Sequence, residues 1–88
     1  MKALVVDDSV AMRTILARML RGVGYEVFQA ENGEDALDVV RSQSPLELVL
    51  VDWNMPVMNG LDFIRAVRSE LGERNLPIMM VTTESENN

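Results

Sequence analysis

Cysteine and histidine are both absent from this 88-residue chain. Without Cys there is no disulfide, no thiolate nucleophile and no Cys-ligated metal. Without His, the common zinc sites and any imidazole base are excluded as well. Basic residues are few: 8 against 14 acidic ones, for a net charge of −6. An acidic surface repels nucleic acid and anionic lipid, so neither is expected as a direct partner. No apolar run approaches the length of a membrane span and the first residues lack a signal-peptide pattern, so the expectation is a cytoplasmic protein. The 5 glycines form neither G-x-G-x-x-G nor G-x-x-x-x-G-K-[ST]. Gly22-Val23-Gly24 follows a helical pattern and not a strand, which is the wrong setting for a phosphate loop.

What is there is ordinary in bulk: 48% hydrophobic and 25% charged residues, enough for one globular domain. Its distribution is informative. Leu4-Val5-Val6 stops at Asp7-Asp8, Leu48-Val49-Leu50-Val51 stops at Asp52, and Ile78-Met79-Met80-Val81 stops at Thr82-Thr83. Short apolar, β-branched runs of this kind read as buried strands, over 2–7, 46–52 and 78–82. Residues 25–30 mix Glu26 and Gln29 among Tyr25, Val27 and Phe28, which suits a half-exposed edge strand.

Helical patterns fill the gaps. Ser9 is placed to cap the first, in which Ala11, Ile15, Leu16, Met19, Leu20 and Val23 recur at three- and four-residue spacing while Arg13, Arg18 and Arg21 face elsewhere. Gly22 and Gly24 are expected to close it with positive φ. Asn32 caps the second, with Glu34 and Asp35 in its first turn and Ala36, Leu37, Val39 and Val40 on the buried side. Residues 53–60 carry loop chemistry in Asn54, Pro56, Asn59 and Gly60. The third helix covers roughly 60–71, with Leu61, Ile64, Val67 and Leu71 on one stripe, and Gly72 stops it. The seven methionines read as core filler.

The order is then β-α-β-α-β-α-β. Right-handed crossovers make the strands parallel with helices on both faces. The edge character of 25–30 favours the order 2-1-3-4: a doubly wound, flavodoxin-like α/β sheet with four strands. Its switch point falls between the first and third strands, where Asp7, Asp8 and Asp52 emerge. Carboxylates that close repel one another by about 1–4 kcal/mol per pair, depending on the effective dielectric, and a cation relieves the repulsion. Oxygen donors without His or Cys point to Mg²⁺, with Mn²⁺ or Ca²⁺ as substitutes. Asp7-Asp8 also reads as simple helix capping. Asp52 does not, because it ends four aliphatic residues and precedes a loop. A carboxylate in such a place can act as a nucleophile towards phosphorus, and a hydroxyl such as Thr82 can donate a hydrogen bond to a phosphoryl oxygen.

Val5-Val6-Asp7-Asp8-Ser9, then Val51-Asp52-Trp53-Asn54-Met55-Pro56 with Gly60, then Met80-Val81-Thr82, closely resemble the receiver domain of two-component response regulators, most of all the chemotaxis CheY type. The similarity runs along the whole chain. It implies that Asp52 is the phosphoacceptor, taking its phosphoryl group from a phosphohistidine on a partner histidine kinase. It further implies that Asp8, Asp52 and the backbone carbonyl of Asn54 bind Mg²⁺, with Asp7 acting largely through a water, and that Thr82 is the switch hydroxyl. Such a protein is a signalling domain whose only chemistry is its own phosphorylation and dephosphorylation. A phosphatase with an aspartyl nucleophile is the weaker reading, since those use Asp-x-Asp where these acids are adjacent.

A complete receiver has a fifth strand and two more helices, so 1–88 is expected to be a single incomplete receiver domain. The family's Lys at the end of the fifth strand has no counterpart. Lys2 is the sole Lys and lies about 17 Å from Asp7 along one strand, at the opposite rim. Metal binding is therefore expected to survive better than switching. Strand 78–82 should be an exposed edge and the sheet should bare side chains of its first, third and fourth strands. From this follows an expectation of self-association, or of pairing with a complementary fragment, with the acidic site as a possible relic.

Overall fold

In the computed structural model, residues 1–53 and 55–81 are described. The elements are β1 (Lys2–Val6), α1 (Val10–Gly22), β2 (Glu26–Ala30), α2 (Gly33–Gln43), β3 (Leu48–Asp52), α3 (Gly60–Ser69) and β4 (Ile78–Val81). The four strands are all parallel, in the order β2-β1-β3-β4, the flavodoxin-like α/β arrangement. Register places Val6 beside Val51 and beside Ala30, so Asp7, the residue after β1, comes level with Asp52, the last residue of β3. No helix among the described residues is long and apolar enough to cross a membrane.

The sheet has two unequal faces. Leu4, Val6, Val49 and Val51 join Ala36, Leu37 and Val40 of α2 and Phe63, Ala66 and Val67 of α3 in one buried cluster. Phe63 is fully buried at its centre. Cutting it back to Ala would cost about 3–5 kcal/mol. Ala3, Val5 and Leu50 alternate onto the other face, which α1 covers.

Several expectations need correction. On α1 the apolar residues form two stripes, and the one facing the sheet contains Arg13, Leu16, Ala17 and Leu20. Ala17 is buried, whereas Ile15 and Met19 are 50% and 63% exposed and Ala11 and Val23 are also exposed. Periodicity alone does not choose between stripes; the one that holds Ala17, the fully buried residue of the helix, is the one turned inward. On α3 the inward face is Gly60, Phe63, Ala66 and Val67, not a stripe begun at Leu61, which is exposed. The helix stops at Ser69, and Gly72 follows in the left-handed region at φ 69°. Gly22 is the last residue of α1 and does not have positive φ; Gly24 does, at 104°. Of the methionines, only Met55 is buried in the core, while Met1, Met19, Met79 and Met80 are exposed. The bared sheet is likewise narrower than expected. Ala3 and Val5 are fully buried and Leu50 is 9% exposed; Met79 on β4, at 60%, carries the exposure.

Candidate functional site

The β1–α1 turn builds half of the site. The Asp7 N–H extends the ladder to the Ala30 carbonyl at 3.1 Å. Asp7 Oδ1 accepts the Ser9 N–H at 2.9 Å, and Ser9 Oγ accepts the Met12 N–H at 3.2 Å. Ser9 therefore caps α1 as its sequence position suggests, and Asp7 receives the next donor back. Arg13, read from the sequence as facing outward, turns in and donates from Nη1 to the Asp7 carbonyl at 2.7 Å.

The β3–α3 loop builds the other half by packing. Gly60 at the start of α3 lies against the end of β3: its N–H donates to the Trp53 carbonyl at 3.2 Å, and a Cβ added there would stand 2.5 Å from the Asp52 carbonyl oxygen. Glycine is required there for close approach and not for a left-handed backbone, since its φ is not positive. Asn59 caps α3 through the Asp62 N–H at 2.9 Å. Met55 is buried, and Met58 sits on Gly33 at the start of α2, where an added Cβ would come within 2.7 Å of its Cγ. Between them the Met58 N–H reaches the Pro56 carbonyl at 2.7 Å, a three-residue turn that holds Val57 at φ 69°. That region is strained for a β-branched residue.

These two loops bring Asp7, Asp8 and Asp52 together, with one carboxylate oxygen from each within 4.8 Å of the others. Asp7 and Asp52 are buried, at 1% and 4% exposure, and Asp8 is exposed. Asp7 Oδ2 is buried and has no hydrogen-bond partner among the described residues. Burial raises the Asp7 carboxyl above its usual range, the neighbouring charges of Asp52 and Asp8 raise it further, and the Ser9 N–H opposes them. A buried carboxylate oxygen without a donor, beside two more carboxylates, is a poor arrangement for an anion alone and fits a hard divalent cation. Of the other residues singled out in the sequence, Asn54 and Thr82 lie outside the described residues. Lys2 begins β1 at the far rim, where its Nζ lies 6.0 Å from the centre of the Phe28 ring. Trp53, next to Asp52, is exposed. Sequence reasoning missed the roles of Arg13 and Met58. The only signal for Arg13 was a charged residue one turn into a helix that follows the acid pair.

The sequence profile of the response regulator receiver domain matches residues 3–88. The chemotaxis protein CheY1 of Helicobacter pylori is 46% identical over 85 residues, which is 96% of this chain and 68% of that protein. A CheY homolog of Campylobacter jejuni is 45% identical, over 96% of this chain and 65% of its own length. This chain thus spans about two thirds of the relatives it matches. Among solved structures, the chemotaxis response regulator CheY4 of Vibrio cholerae superposes with a TM-score of 0.86 at 39% identity, covering 96% of this chain and 69% of that one. A chain of the CheX-CheY-BeF3-Mg+2 complex from Borrelia burgdorferi does so with a TM-score of 0.85 at 25% identity, covering 94% and 62%.

Proposed function

This chain belongs to the response regulator receiver domain family, and on that premise we propose that it is a cytoplasmic two-component receiver whose Asp52 accepts a phosphoryl group from a phosphohistidine of a partner histidine kinase. The observation that supports this best is the meeting of Asp7, Asp8 and Asp52 within 4.8 Å, with a buried Asp7 oxygen left without a donor among the described residues. In the transfer a carboxylate oxygen of Asp52 forms a bond to phosphorus as the phosphorus–nitrogen bond of the donor breaks, and the departing imidazole keeps the electron pair and takes up a proton. Hydrolysis of the acyl phosphate then returns the carboxylate. Asp7, Asp8 and Asp52, with the backbone carbonyl of Asn54, would hold Mg²⁺, which supplies positive charge against the phosphoryl oxygens. Thr82, one residue past β4, would donate its hydroxyl to the phosphate. The Borrelia complex, with BeF3 and Mg+2, supports the same chemistry.

The test is labelling from a small acyl-phosphate donor. Asp52→Asn is expected to abolish incorporation; undiminished labelling of that variant refutes the assignment. A second reading, self-association through the sheet edge, is favoured by β4, which pairs only with β3 among the described residues and exposes Met79 and Met80. Light scattering at micromolar concentration tests it, and a well-folded monomer rules it out.

A further inference from the structure

The metal-binding reading leaves one charged side chain beside the rim without a role. Arg13 is half-buried on the sheet-facing side of α1. Its bond to Asp7 goes to the main-chain carbonyl and not to a carboxylate oxygen. The Asp7 N–H is already held by Ala30 and its Oδ1 by Ser9. The carbonyl belongs to the peptide that joins Asp7 to Asp8, and that unit is planar. Holding its oxygen fixes the rotation of the whole plane, and with it the φ from which Asp8 leaves the strand.

We propose that Arg13 is a positioning residue for the acidic rim: by gripping the Asp7 carbonyl it sets the direction in which Asp8 presents its carboxylate to a divalent cation. This inference rests on the metal-binding reading above. Asp8 is the exposed member of the trio. Asp7 and Asp52 are held by their surroundings, so Asp8 depends most on its backbone for aim. A charge-assisted bond to a carbonyl at 2.7 Å is strong and directional enough for this task.

The alternative role, a mere counter-charge to three carboxylates, has the opposite sign. A counter-charge competes with the cation, so deleting it would tighten binding; losing a positioning group loosens it. Mg²⁺ titration followed by Trp53 fluorescence separates the two. Arg13→Met keeps the stem and removes the donor, and is expected to weaken Mg²⁺ binding by about tenfold or more. Arg13→Lys keeps a donor on a similar stem and is expected to restore most of the affinity. Without metal, ¹⁵N relaxation of the Asp8 amide gives an independent readout, and its order parameter is expected to fall below about 0.6 in Arg13→Met. The inference is overturned if Arg13→Met binds Mg²⁺ as tightly as the wild type or more tightly, or if its Asp8 amide stays rigid. Should that variant not fold, Arg13→Lys decides: a rigid Asp8 amide with lost affinity, or a loosened Asp8 amide with wild-type affinity, overturns the inference. No response from the wild type would overturn the metal reading as well, so the two failures are distinguishable.

Discussion

The two loops that carry the carboxylates reach the same rim by different means. The β1–α1 turn is tied by directed hydrogen bonds: Asp7 to Ala30, Ser9 to Asp7, Met12 to Ser9 and Arg13 to the Asp7 carbonyl. The β3–α3 loop is wedged by contact, with Met55 buried, Met58 on Gly33 and Gly60 pressed against the end of β3. Hydrogen bonds tolerate small volume changes and fail when a donor is lost. Close packing does the reverse. The difference teaches that a polar deletion should harm the first loop and an added methyl the second.

The sharpest way to break the comparison is Gly60→Ala. Its Cβ meets main-chain oxygen, which cannot swing aside as a side chain would. A loss of about 2–3 kcal/mol in denaturant unfolding, with β3 displaced at Asp52, is expected; a fall under half of that would show that the wedge is loose. Next comes Asp7→Asn. The folded Asp7 carboxyl is raised above the ordinary 3.8, so the folded chain binds that proton more tightly than the unfolded chain. Its contribution is therefore favourable below the ordinary carboxylate range and is lost as pH rises through the raised value. Without metal, Asp7→Asn should be more stable than the wild type at neutral pH, with the gain shrinking as pH falls towards 3.8 and below. Thermal melts across pH check the sign, and Mg²⁺ should narrow the difference by stabilising the wild type alone. Ser9→Ala removes a cap and should cost about 1 kcal/mol, whereas the same change at a packed position would pass almost unnoticed. The smallest effect is a gain. Val57→Asn suits the left-handed region and should stabilise by about 0.5–1 kcal/mol; a neutral or negative result would mean that Val57 is not under strain.

The strands and their order were readable because each apolar run ends in a polar group, and a parallel sheet buried on both faces demands such runs. The caps Ser9 and Asn32 were readable for a local reason, since a cap needs only the next three residues. What was not legible depends on distance in space. The choice of stripe on α1 turns on how closely Ala17 approaches the sheet, and that turns on strands remote in sequence. Gly60 read as loop chemistry, yet its reason is the Asp52 carbonyl eight residues earlier. Arg13 looked like a solvated charge because a spacing pattern records side-chain chemistry, and its partner is a main-chain oxygen, which every residue has.

Lysine placement has a practical corollary. The side chain of Lys2, the one lysine among these 88 residues, begins β1, while Asp7 and Asp8 follow the end of that strand. An amine-reactive reagent that reaches Lys2 therefore modifies the pole remote from the carboxylates. Coupling through that side chain to a sensor surface or a resin should present the acidic end outward.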